Sequence, residues 1–218
     1  MRARIGFMLA FMLVCMTVTA LAQPAEQVIF IDVERMNLTL YENGVEVMRY
    51  PIAAGARNTP TPLGVFHITG RFKTEKVNGF GTCFLRLDVP WGQYGIHGTN
   101  NPGSIGSHAS HGCIRMYISD AEKLYARVKN GACVVIQNGA YGELGTHLEP
   151  IVYGDRGNHV RAVQQKLYAM GYFTGTCDGV WGAATEQAIH AFKQDYGLLS
   201  EPGVNAAVYD ALGITLFE

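Results

Sequence analysis

The chain has 218 residues, of which 48% are hydrophobic and only 16% charged; this balance excludes a disordered chain and allows one large domain or two small ones. Seventeen basic residues against 18 acidic ones give a formal charge of −1, so the chain as a whole offers no electrostatic support for binding a nucleic-acid backbone. Its 26 glycines exceed the usual share of ~7% and point to many tight turns.

Residues 1–22 read as a secretory signal peptide. Arg2 and Arg4 precede an uncharged apolar run from Ile5 to Val18, and Thr19-Ala20-Leu21-Ala22 supplies the small residues of a cleavage site. Cleavage near Ala22 is expected, which would place the mature protein in the periplasm or cell wall. A membrane anchor is the rival reading, because the run stretches to about 18 residues at Ala22, the short end of what spans a bilayer. Cys15 belongs to this segment. Cys83, Cys113, Cys133 and Cys177 lie beyond it, where disulfides are possible, yet their irregular spacing is not that of a disulfide scaffold.

Residues 26–138 carry the grammar of strands and turns. Gln27 to Val33 is a buried strand candidate, Asn37 to Tyr41 alternates, and Glu42-Asn43-Gly44 is a turn leading into Val45 to Tyr50. Further strands are expected at Gly64–Thr69, Cys83–Leu87 and Ala132–Gln137. One helix is expected over Ser119–Lys129, with Ser119 as its cap and Ala121, Leu124, Tyr125 and Val128 on its apolar face. Residues 139–150, with three glycines and Pro150 but no apolar period, suit a linker. Residues 151–215 then change period. Val160, Val163, Leu167 and Met170 mark a helix closed by Gly171, Thr185, Ile189, Phe192 and Tyr196 mark a second closed by Gly197, and a third runs from about Asn205 to Leu212.

The densest chemical signal is Ile96-His97-Gly98-Thr99 followed by Ser107-His108-Ala109-Ser110-His111-Gly112-Cys113-Ile114-Arg115. A thiol attacks as thiolate, and a nearby imidazole can lower its pKa and shuttle the proton. Glycine beside the cysteine lets backbone amides approach a reacting carbonyl, so the Gly112 and Cys113 N–H groups are oxyanion candidates. His97, His108, His111 and Cys113 are also ligand types that zinc accepts, although their spacing is not a familiar zinc pattern.

These residues resemble the signature of the L,D-transpeptidase (YkuD) catalytic domain, a His-Gly pair followed by Ser/Thr-x-Gly-Cys-hydrophobic-Arg/Asn. Thr59-Pro60-Thr61-Pro62-Leu63-Gly64-Val65-Phe66 and Trp91-Gly92-Gln93-Tyr94-Gly95-Ile96 resemble two more elements of that family, in the expected order. The resemblance implies a mainly β, sandwich-like catalytic domain with one main helix, acting without a cofactor or metal on peptidoglycan stem peptides in cell-wall biogenesis. It implies Cys113 as nucleophile, His97 as general acid/base and the Gly98 carbonyl as the group orienting the ring. Arg115 and His111 become candidate substrate-binding residues, with an acid partner the structural alternative for Arg115; Ser110 supports the loop and His108 is exposed.

Two other readings remain open: a hydrolase such as an L,D-carboxypeptidase on the same residues, and a wall-binding protein with a silent catalytic domain. From Tyr153 to about Leu212, including Asp178-Gly179-Val180-Trp181-Gly182-Ala183-Ala184-Thr185, the chain resembles a three-helix peptidoglycan-binding domain. On a flexible tether such a module would raise the local concentration of wall polymer. Its deletion would then weaken sedimentation with sacculi while sparing turnover of a soluble muropeptide.

Overall fold

The computed structural model describes residues 26–216; the leader expected over residues 1–22, with its Cys15, lies outside them. β1 (Gln27–Asp32), β2 (Asn37–Glu42) and β3 (Val45–Pro51) form an antiparallel meander. Its two-residue loop needs positive φ at both positions, and Asn43 and Gly44 adopt 51° and 78°. After the short β4 (Ala54–Gly55) come β5 (Gly64–Asn78), β6 (Gly81–Leu87), β7 (Gly95–Gly98), β8 (His108–Ser110), β9 (Ile114–Met116), α1 (Ile118–Arg127) and β10 (Cys133–Gln137).

The main sheet has the order β3-β2-β1-β10-β5-β6-β7-β9, and β4 pairs separately with β8. β5 joins its two halves: residues Gly64–His67 pair with β10, whereas those from Ile68 onward pair with β6. The strand expected at Gly64–Thr69 therefore runs on to Asn78. Its second half carries exposed polar side chains such as Lys73 and Glu75 and is held by the ladder with β6, so no alternation of buried residues betrays it in the sequence. Ile29, Ile31, Leu38 and Leu40 from one half share a single core with Leu85, Leu87, Ile96, Ile114 and Met116 from the other and with Leu124 of α1. The domain is mainly β with one main helix, as expected. The N-cap of that helix is Tyr117, without a side-chain bond; Ser119 falls in the first turn and does not cap it.

The segment read as a linker holds a 3-10 helix over Gly139–Leu144, and Leu144 and Leu148 pack against a second core. That core joins α2 (Asn158–Ala169), α3 (Ala183–Asp195) and α4 (Ala206–Ala211), the three helices of the C-terminal region. Val160, Val163 and Leu167 are buried as their period demands. Met170 is the C-cap residue and 38% exposed, because the turn at Gly171 ends the helical period just before it can count. Like Thr185 and Lys193, Gln164 is buried in this module. Its amide nitrogen donates to Asp178 Oδ1, the Val180 carbonyl and Thr185 Oγ1, while its oxygen accepts from the Gly179 N–H at 2.7 Å. The Asp-Gly-x-Trp turn is thereby locked, with Trp181 buried behind it and bonded to Glu186. Cys83, Cys113, Cys133 and Cys177 are all free thiols. Among the described residues no helix is long and apolar enough to cross a membrane.

Candidate active site

His97 lies on β7, and Cys113 stands immediately before β9. The two strands are parallel neighbours, with Ile96 opposite Ile114 and His97 opposite Arg115. Side chains alternate along a strand, and Ile96 and Ile114 point into the core, so His97, Arg115 and Cys113 share the other face. Residues sixteen positions apart are thus brought to one side of the sheet by strand register.

His97 is only 2% exposed. Its cross-strand neighbour Phe84 stacks on the ring at 5.7 Å, and Phe80 meets it edge-on at 5.0 Å. The ring's Nδ1 is bonded to the Gly98 carbonyl at 2.5 Å. Because a carbonyl only accepts, Nδ1 carries the proton and Nε2 is left as a lone-pair acceptor. Burial pushes the imidazole pKa below its ordinary value; the Gly98 bond opposes this and the Arg115 cation reinforces it. Cys113 is half-buried, and burial pushes its thiol pKa up, against a backbone hydrogen bond from Gly95 and the nearby Arg115 charge. Among the described residues no hydrogen bond links the sulfur to the imidazole. Desolvation thus acts on both groups against charge, opposing the pull that a neighbouring imidazole would exert on the thiol.

The turn before Cys113 is held by Ser110, itself buried. Its hydroxyl accepts from the Gly112 N–H at 3.0 Å and donates to the Cys113 carbonyl at 2.6 Å. The Gly112 amide, expected as an oxyanion donor, is therefore committed inside the turn. Gly112 adopts φ 106°, and a Cβ there would stand 2.5 Å from the Tyr94 ring and 3.2 Å from the Pro60 carbonyl, so only glycine fits. The Ser110 carbonyl accepts from the Ala56 N–H at 2.8 Å and from Thr59 Oγ1 at 3.1 Å, and Thr61 Oγ1 accepts from the Gly55 N–H. The Thr-Pro-Thr-Pro element is a strap across the cysteine turn. Ser110→Ala removes both bonds of the buried hydroxyl and should destabilise the fold by about 1–3 kcal/mol in denaturant unfolding. A change under about 0.5 kcal/mol, the scale of an ordinary surface substitution, would show that the turn holds without it.

Arg115 donates from Nη1 to the Ala109 carbonyl at 3.1 Å. Among the described ion pairs it has no acidic partner, so its charge is available on the cysteine's face. His111 is exposed at the turn, and His108, also exposed, is bonded through Nδ1 to the Gly55 carbonyl at 3.0 Å. Among the described residues no group of three His, Cys, Asp or Glu side chains is placed to hold a metal ion. Tyr94, which the sequence shows only as part of the stretch leading to His97, is a further residue of the site. Its ring covers Gly112, and burial pushes its phenol pKa up, with Cys113 acting in the same direction once ionised; its place three residues before His97 was the available signal.

The family model described as L,D-transpeptidase catalytic domain (YkuD) matches residues 26–136, slightly over half of the chain. The chain belongs to this family. Within the YkuD match lie His97, Cys113 and the strap. A second model, described as "Putative peptidoglycan binding domain", matches residues 156–212. The YkuD-family chain is 43% identical over 108 residues to "Putative L,D-transpeptidase YkuD" of Bacillus subtilis, covering 50% of this chain and 64% of that protein. It is 29% identical to L,D-transpeptidase 2 of Mycobacterium tuberculosis, over 49% of this chain and 30% of that one. It thus spans less than two thirds of these curated relatives. The solved catalytic domain of the Enterococcus faecium L,D-transpeptidase aligns at 26% identity over 50% of this chain and 95% of that one, with a TM-score of 0.44, a likeness too slight to add to the family match.

Proposed function

We propose that this YkuD-family protein is an exported cysteine L,D-transpeptidase that takes an acyl group from a peptidoglycan tetrapeptide stem and passes it to an amine. The observation that carries this reading is the common face of Cys113 and His97, with the imidazole Nδ1 anchored to Gly98 and Nε2 without a hydrogen bond among the described residues. The Cys113 S–H proton passes to His97 Nε2 as the sulfur bonds to the carbonyl carbon between the third stem residue and the terminal D-alanine. The C–N bond then breaks, and the imidazolium protonates the departing D-alanine nitrogen. In the second half an amine attacks the thioester, the C–S bond breaks, and His97 relays the amine's proton to the sulfur.

The thioester conserves the reactivity of the amide it replaced, so the exchange needs no cofactor. With the Gly112 amide committed to Ser110, the Cys113 amide is the remaining oxyanion candidate of the turn. The Arg115 cation suits the carboxylate of the terminal D-alanine, and the exposed His111 stands at the rim. Export rests on the leader-like order of residues 1–22. Peptidoglycan glycan and stem peptide are the partners that both matched domains suggest.

Incubating the mature protein with a purified tetrapeptide muropeptide and weighing the products tests the reading. Loss of D-alanine with a product joined between third residues is expected. Loss of D-alanine with a tripeptide as sole product would make the protein an L,D-carboxypeptidase, with water as acceptor at the same thioester. No D-alanine release at all would leave only a wall-binding role.

A further inference from the structure

We propose that the C-terminal helical module is a fixed buttress of the cysteine site, and that Asn158 is a positioning residue for Cys113. The inference rests on Cys113 being the nucleophile. Asn158, the first residue of α2, grips the backbone of Leu63 from both sides: its Oδ1 accepts from the Leu63 N–H at 3.1 Å, and its Nδ2 donates to the Leu63 carbonyl at 2.5 Å. Leu63 ends the strap whose other end, Thr59, is bonded to the Ser110 carbonyl. Between these anchors lie Pro60 and Pro62, whose fixed φ leaves little slack, and Thr61, which accepts from Gly55. A displacement at Leu63 is therefore passed to Ser110 and to the turn that Ser110 closes around Gly112 and Cys113.

A second contact reaches the site from the other side. The Trp91 ring lies on Gly179, where a Cβ would stand 2.6 Å from it, and Val180 packs on the catalytic core. Trp91 is three residues before Tyr94, which covers Gly112. The turn that meets Trp91 is the one locked by Gln164. The module thus presents two rigid points to the two segments that flank the nucleophile. A module on a flexible tether has no need of either, and the expectation that its removal spares soluble turnover is replaced by its opposite.

The test uses the full chain with Asn158→Ala and Asn158→Asp. Alanine removes both bonds; aspartate keeps an acceptor for the Leu63 N–H but sets a second oxygen against the Leu63 carbonyl. A carboxylate in the first turn also favours α2 itself, so an impaired aspartate variant is not explained by melting of the module. Both variants should lose roughly tenfold or more in kcat on a soluble tetrapeptide muropeptide, with KM little changed, since small misplacement of a reacting group is costly. Sedimentation with insoluble sacculi should be unchanged. In site-resolved alkylation the reaction of Cys113 should shift to lower pH, as water reaches a loosened turn. A kcat within about twofold of the parent in either variant, the scatter expected where no positioning is lost, overturns the buttress. A parent protein that releases no D-alanine sinks the transpeptidase reading instead, and the alkylation profiles then decide the buttress alone: superimposed curves overturn it.

Discussion

Replacing Cys113 by alanine is expected to abolish release of D-alanine from a tetrapeptide stem, by on the order of 10⁴-fold or more. Ser110 is the nearest hydroxyl in the sequence, but it donates to the Cys113 carbonyl and accepts from Gly112, so its oxygen is locked within the turn and has no base of its own. The substitution removes one half-buried sulfur and leaves the turn's bonds in place, since those run through backbone groups of Gly112 and Cys113. The melting temperature should therefore hold while activity vanishes. Quantifying free D-alanine by mass spectrometry checks the result, and release within about tenfold of the parent would end the nucleophile assignment, because losing a covalent nucleophile costs far more than that.

His97→Gln is expected to lower kcat/KM by about 10²–10⁴-fold, the usual weight of a positioned acid and base. The more discriminating readout is pH. His97 must be neutral to accept the thiol proton, and burial holds its pKa below the ordinary value of about 6.5. Parent activity should thus persist as pH falls through 6.5 and fade only when pH drops through the lowered pKa, where the ring becomes charged. The Cys113 thiol is displaced the other way, above its usual value of about 8.5, so it stays protonated at neutral pH without help. In the glutamine variant the acid limb should disappear, and the residual rate should climb with pH through the raised thiol pKa. An acid limb surviving at the same pH in the variant would assign it to another group.

The displaced pKa values share one cause. Phe80 and Phe84 enclose His97 on the face away from the core, and the low polarity there disfavours the imidazolium as the half-buried turn disfavours the thiolate. In the proposed mechanism, a pair held away from charge avoids keeping a thiolate ready for any electrophile. Its ionisation then accompanies attack on a carbonyl, when the developing oxyanion is being stabilised in the same site.

Much of the fold was legible before any coordinates. The Asn43-Gly44 hairpin, the α1 face of Ala121, Leu124 and Val128, and the three C-terminal helices follow from turn chemistry and periodicity, which are local. The second half of β5 was illegible because it has no buried face, and β7 and β9 because strands of four and three residues are too short to show a period. The site divided in the same way. Cys113, His97 and the Gly98 carbonyl could be named from one short stretch of sequence, whereas Tyr94 was named only within the stretch leading to His97, because a tyrosine announces no role until something is seen to lie beneath its ring.

Residue identity alone determined which groups can do chemistry here: Cys113 in a glycine turn, His97 before Gly98, and Arg115 two places beyond the cysteine. Only the tertiary structure decided that desolvation drives the thiol and the imidazole away from charge, and that the strap ties Ser110 to Asn158. Those facts depend on hydrogen bonds between residues 51 and 95 positions apart and on how much water each group loses when distant segments close over it. Neither contact nor desolvation is written in local sequence, because both are properties of what the fold brings alongside.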